Sequence, residues 1–172
     1  MGVKSRTLEI IVISGENIHV TEDAYVVVRG EALKCCSTKM VKDSGNEYST
    51  FLLWNQKFLL DMPMHARSIT FEVQSNKFKG VRPIGIARIA LSDFLGGSLP
   101  LNSLRVLSYR LRDWEGRKNG IIHFAVRVVA PQEYSTPTVE PMTIMIHKKD
   151  SNDTTTGIFP GEKNCNEGIK CF

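Results

Sequence analysis

Apolar and polar residues alternate most cleanly along Leu107–Val128. Leu107, Tyr109 and Leu111 take turns with Ser108, Arg110 and Arg112; further on, Ile122, Phe124, Val126 and Val128 take turns with His123, Ala125 and Arg127. Successive side chains on a strand point to opposite faces, so each arm turns one face to a core and one to water. Between the arms, Asp113, Gly116, Asn119 and Gly120 accept tight or left-handed backbone, which predicts a hairpin with its connection at 113–120. Two strands cannot bury such a face alone, so the preceding chain has to supply the rest of a sheet.

It has the pattern to do so. Thr7–Ser14 is rich in β-branched residues and reads as a first strand, broken by Gly15 and Asn17. Ala24–Arg29 and Leu33–Met40 read as the second and third strands, and Asp43-Ser44-Gly45-Asn46 as a turn. Phe51–Leu60 is the fourth, with Trp54, Phe58 and Leu60 on one face. Ser68–Ser75 is the fifth, with Ile69, Phe71 and Val73 inward. A basic loop is expected at Asn76–Pro83, a sixth strand at Ile84–Ala90, and one capped helical turn at Ser92–Gly96. No helical period runs beyond about two turns. Eight short strands separated by turn signals predict an all-β, eight-stranded antiparallel β-sandwich over residues 1–130. After Ala130, Pro131, Pro137, Pro141 and Pro160 stand among Ser, Thr, Asn and Gly, which predicts a mostly disordered tail over 131–172. One apolar island in it, Met142–Ile146, could serve as an edge strand, a docking peptide or a merely sticky patch.

Composition narrows the function classes. A hydrophobic content of 42% over 172 residues supports a real core, and no apolar run is long enough to span a membrane as a helix. Arg6 stands where N-myristoylation of Gly2 wants Ser or Thr. Cys35, Cys36, Cys165 and Cys171 form no recognisable disulfide or metal spacing, so reduced thiols are expected. Residues 131–172 hold four lysines against six Asp/Glu, while the first 130 residues hold the other 18 Lys/Arg against 12 Asp/Glu. A basic globular part favours an anionic partner: a membrane surface, a nucleic acid or an acidic protein. Nucleic acid is the poorer match, because the aromatics fall at core positions instead of forming a stacking row. His19, His65, His123 and His147 lack ligand spacing, and there is no nucleophile elbow or phosphate-cradling glycine loop, so no enzyme is predicted.

In order and spacing, Leu8–Ser14, Asp23-Ala24-Tyr25-Val26, Trp54–Phe58, Phe71–Ser75, Ile84-Gly85 and Leu91–Phe94 together resemble a C2 domain. The ending LSYRLRD…GRKNGIIHFAV is similar to the small plant C2 proteins that include the BONZAI-associated proteins. That resemblance implies a copine-like partner, a cytoplasmic place at the inner face of the plasma membrane, and restraint of plant cell death and defence. It also implies a Ca²⁺ site at one end of the sandwich, built from about five carboxylates on converging loops, since Ca²⁺ takes about six to eight oxygen ligands. Here the family's Val-x-Asp-x-Asp is Val73-Gln74-Ser75-Asn76-Lys77, and no acidic residue occurs from Val73 to Ser92. No metal site and no cofactor are therefore expected. Asp23, the one residual candidate ligand, is expected to cap a turn instead.

Direct contact with anionic phospholipid is the alternative. In the basic loop Lys77, Lys79 and Arg82 would meet phosphates, with Phe78 and Val81 dipping into the interface. Around the third strand, Lys34, Lys39 and Lys42 would add charge, although Lys34 and Lys39 are five apart and point to opposite faces of a regular strand. Each such cation contributes about 1 kcal/mol at an anionic leaflet, enough in a group for weak, salt-sensitive attachment. Arg110, Arg112, Arg117 and Lys118 form a second basic group, in which Arg110 and Arg112 are expected to pair with Asp113 and Glu115. Two readings stand: a peripheral membrane module, or an interaction scaffold that never touches lipid.

Overall fold

The computed structural model describes residues 5–31, 34–77, 80–96 and 102–129. Strands β1 (Ser5–Glu16), β2 (Ala24–Gly30), β3 (Cys35–Ser37), β4 (Phe51–Pro63), β5 (Ser68–Lys77), β6 (Gly80–Ala90), β7 (Arg105–Arg112) and β8 (Lys118–Val129) are joined by one helical turn, α1 (Ser92–Leu95). All neighbours are antiparallel, in the order β3-β2-β5-β6-β7-β8-β1-β4. β6 and β7 share the single pair Ile86–Arg112, whereas β5–β6 and β7–β8 are zipped along most of their length. That thin seam divides the order into two four-stranded leaves whose apolar faces meet, the predicted sandwich. The expected tail at 131–172, with its Met142–Ile146 island, lies outside the described residues.

The inward residues are those that the alternation selects. Leu8, Ile10 and Val12 of β1, Leu52, Trp54, Leu60 and Met62 of β4, Ile69, Phe71 and Val73 of β5, and Ile122 and Phe124 of β8 are all buried. Phe71 stacks on Phe124 across the two leaves, with ring centroids 4.3 Å apart and an interplanar angle of 29°. Fully burying either side chain contributes about 1.5–3 kcal/mol. The Trp54 indole N–H donates to the Ala24 carbonyl at 3.1 Å, satisfying its polar atom while bridging β4 to β2.

Several expectations need correction. The third strand is three residues long, not Leu33–Met40. Beyond Ser37 the ladder becomes irregular: the Thr38 amide still donates to the Val26 carbonyl, but the Thr38 hydroxyl takes the Val26 amide and the Gln56 side chain takes the Lys39 amide. The basic loop is instead the protruding end of the β5–β6 hairpin, paired to Lys77–Gly80. The β7–β8 connection closes at Asp113–Arg117, with Gly116 at φ 79° and its amide bonded to the Asp113 carbonyl, so Asn119 and Gly120 lie within β8. Gly15 continues β1, and the break falls at Asn17, a left-handed residue at φ 53°. Ser92 makes no side-chain cap bond to α1; Leu91 holds the cap position. Neither Cys35 nor Cys36 is a reduced thiol: each takes part in a disulfide.

Candidate functional site

Antiparallel order puts the β1–β2, β3–β4, β5–β6 and β7–β8 connections at one end of the sandwich. Hydrogen bonds lock the four together. The Asn17 amide donates to the Thr50 carbonyl at 3.0 Å, and the Thr50 hydroxyl returns a bond to the Ile18 carbonyl at 2.7 Å. Ala24 and Val41 exchange backbone bonds at 2.9 Å. Asn119 is the hub: its Oδ1 accepts from the His19 amide at 3.0 Å and its Nδ2 donates to the Ile84 carbonyl at 2.9 Å. Gly120 beside it sits at φ 80°, and a Cβ there would stand 2.6 Å from the Glu16 carbonyl oxygen. Asn119-Gly120 therefore lets three segments meet.

Between the β1–β2 connection, the β5–β6 hairpin and the β7–β8 turn lies a cleft of about 280 Å³, lined among others by Arg82, Trp114, Arg117 and Lys118. The turn is fixed by Asp113. Its Oδ1 accepts from the amides of Glu115 and Arg117 at 2.9 and 2.8 Å, and its Oδ2 from Arg117 Nε at 2.9 Å. Partial burial pushes the Asp113 carboxyl up, but the bonds from Arg117 and Glu115 and the Arg117 charge together hold it below its ordinary range. Arg117 also pairs with Glu115. The expected pairing of Arg110 and Arg112 with these acids is thus replaced: Arg117 holds both, and Arg112 donates to the Gly116 carbonyl at 2.9 Å.

Of the eight residues read from the sequence as lipid contacts, the structure brings Lys39, Lys42, Val81 and Arg82 to this end, all exposed. Lys77 has its backbone there, opposite Gly80. Its side chain, and all of Phe78 and Lys79, lie outside the described residues. Lys34 is at the opposite end, 3.7 Å from the Asp61 carboxylate. Lys39, Lys42, Arg82 and Lys118 make no side-chain hydrogen bond or ion pair among the described residues, a state that Arg67 and Arg110 share elsewhere. Most other described cations are engaged, as Arg29 with Glu72, Arg88 with Glu31, and Lys57 and Arg127 with Glu9.

Of the exposed apolar residues at this end, sequence reasoning named Val81 but missed the others. Trp114 on the β7–β8 turn is 81% exposed and Tyr48 on the β3–β4 connection 93%, accompanied by the exposed Met40 and Val81. So not every aromatic is a core residue. The only sequence signal was negative: neither Trp114 nor Tyr48 falls in an alternating run.

A Ca²⁺ site of the C2 type does not fit these residues. Asp23 is half-buried before β2 and, contrary to expectation, makes no side-chain hydrogen bond among the described residues. Ser75 is buried within β5, opposite Ala24 and Arg82. Asp113 is engaged by Arg117. No group of three or more His, Cys, Asp or Glu among the described residues could hold a metal ion.

The fold is that of a C2 domain. The first C2 domain of plant Extended Synaptotagmin 1 superposes with a TM-score of 0.56 at 12% identity, covering 72% of this chain and 94% of that one. Human GIVD cytosolic phospholipase A2 gives 0.58 at 11% identity over 76% of this chain but only 16% of its own length. No family model matches. In sequence, the chain is similar to BON1-associated protein 2 of Arabidopsis thaliana, 36% identical over 132 residues, which bears out the resemblance to the BONZAI-associated C2 proteins. The match takes in 72% of this chain, which spans 61% of that relative's length. No helix among the described residues is long and apolar enough to cross a membrane.

Proposed function

We propose that the chain is a non-enzymatic C2 module that docks on anionic phospholipid through the end described above, with its own cations in place of bridging Ca²⁺. The observation that carries this reading is the gathering there of Lys39, Lys42, Arg82 and Lys118, without partners among the described residues, around the exposed side chains of Trp114, Tyr48, Met40 and Val81. Exposed cations beside aromatic and aliphatic side chains suit a headgroup–acyl boundary, where charge meets phosphate and rings sit at the interface. Four cations at about 1 kcal/mol each give reversible, salt-sensitive attachment. The module works at the cytoplasmic face of the plasma membrane and recruits a copine-like partner, restraining plant cell death and defence. The relative's name, which makes it associated with BON1, supports the partner. So does an apolar side chain exposed on a strand away from the docking end, Val106 on β7.

Co-sedimentation with phosphatidylcholine vesicles containing phosphatidylserine, in chelator, tests the reading. The chain is expected to pellet at low salt, to be released at high salt, and to lose binding in a Lys42→Glu, Lys118→Glu double variant of unchanged circular dichroism. Equal binding by that variant removes this end from the mechanism. No binding at any salt favours the lipid-independent scaffold.

A further inference from the structure

Cys35 and Cys36 are adjacent, yet each takes part in a disulfide and neither can be the other's partner. Both lie in the β3 ladder, Cys35 opposite Arg29 and Cys36 opposite Val28, so their side chains leave opposite faces of the strand. Cys36 belongs to the buried core, at 3% exposure, whereas Cys35 is half-buried on the other face. Consecutive Cα atoms are also only about 3.8 Å apart, short of the roughly 4.4 Å at which disulfide geometry begins. The chain holds four cysteines, which leaves Cys165 and Cys171, both outside the described residues. β3 is placed to receive them. It ends the strand order and pairs with β2 alone among the described strands, so it offers both faces and an open edge. Five residues separate Cys165 from Cys171. At about 3.3–3.6 Å each, that is enough chain to pass round one strand edge from face to face.

We propose that two disulfides join Cys35 and Cys36 to Cys165 and Cys171, and that they form a reversible thiol switch on the β3 edge. Oxidation makes the stretch after β8, richer in Asp and Glu than in Lys, a loop closed back onto β3; reduction makes it a free end. Each bond forms when two cysteine thiols pass two electrons and two protons to a small disulfide such as oxidised glutathione, which leaves as two thiols. A dithiol reductant reverses the exchange and is itself oxidised to a disulfide. The bond at Cys35 exchanges first, because attack needs access to sulfur and Cys36 is shielded. In a reducing cytoplasm, disulfides that form are transient and redox-sensing, so a switch suits the place proposed above. The inference does not depend on membrane docking.

Tryptic mapping of the full chain tests the pairing, after equilibration with a glutathione buffer rich in the oxidised form and alkylation of any remaining thiols. The expected product is one cluster holding residues 35–39, 164–170 and 171–172, from a chain that runs as a monomer on a non-reducing gel. Residues 35–39 recovered alone and lighter by two hydrogens would mean a bond between neighbours and overturn the assignment. A covalent dimer, or alkylation of all four cysteines, would overturn it too. In a Cys165→Ser, Cys171→Ser variant, Cys35 and Cys36 should appear as free or glutathione-capped thiols; a bond between them again defeats the proposal. Dithiothreitol tests the switch. The native chain should gain four thiols, Cys35 before Cys36, and keep its far-ultraviolet circular dichroism. Loss of the β signal on reduction, or bonds that resist reduction in the folded chain, would make them structural staples and not a switch.

Discussion

Replacing Asn119 by alanine tests whether the docking end is braced as described. The substitution removes two hydrogen bonds, Oδ1 from the His19 amide at 3.0 Å and Nδ2 to the Ile84 carbonyl at 2.9 Å. The first lies in exposed surroundings and the second is partly buried. A net worth of about 0.5–1 kcal/mol for the exposed bond and about 1 for the other gives a loss of about 1.5–2 kcal/mol. In a domain of this size that lowers the melting temperature by roughly 5–8 °C. Asn119→Asp sharpens the test. It keeps the acceptor for His19 but sets a carboxylate oxygen against the Ile84 carbonyl, so at neutral pH it should cost at least as much as alanine despite its matching shape. Thermal unfolding followed by circular dichroism, with urea titration to check that the m-value is unchanged, measures both. An alanine variant within about 1 °C of the parent refutes the bracing. An aspartate variant more stable than alanine shows that the His19 bond alone matters.

Two further outcomes follow from the titrating groups. Burial, then the hydrogen bond to Asp93 and its charge, push Tyr109 up to about 12. Its folded value lies above the unfolded one, so the stability it contributes is complete below about pH 10 and is lost as pH rises towards 12. Tyr109→Phe should therefore flatten the alkaline fall in urea midpoint between about pH 9 and 12; parallel falls would contradict the assignment. Asp113→Asn removes the one carboxylate lining the cleft while Arg117 keeps its pair with Glu115, so binding to phosphatidylserine vesicles at low salt should tighten about fivefold, the effect of one charge near a leaflet. Unchanged or weaker sedimentation would show that the turn's geometry matters more than its charge.

How far these features could be read from the sequence depends on which of them leave a one-dimensional trace. Strands with one dry face do, and the inward sets on β1, β4, β5, β7 and β8 follow the alternation. The β5–β6 hairpin beyond Gln74 does not: Asn76, Val81, Arg82 and Pro83 are all exposed there, so a wet two-stranded ribbon shows no period and reads as loop. The pattern overextends β3, because its end is decided by the Gln56 side chain, which lies 17 residues from Lys39. Asn119-Gly120 carries the strongest turn chemistry in the closing hairpin, yet the left-handed Gly120 serves a close approach to Glu16 and Ile18 instead. The site was the least legible part. Lys34 and Lys42 look equivalent in the chain, but one faces Asp61 and the other has no partner among the described residues. Pairing is a property of the folded surface, as is the placement of Trp114 beside Arg82.

The two tryptophans allow the most direct measurement, because Trp54 is 6% exposed in the core and Trp114 is 81% exposed at the docking end. In a Trp54→Phe variant all indole emission comes from Trp114. With chelator present, phosphatidylserine vesicles should shift that emission to shorter wavelength, and brominated acyl chains should quench it, while neutral vesicles leave it unchanged. Vesicle binding without a change in Trp114 emission, or a change that appears only when Ca²⁺ is added, would contradict docking by the polypeptide's own charges.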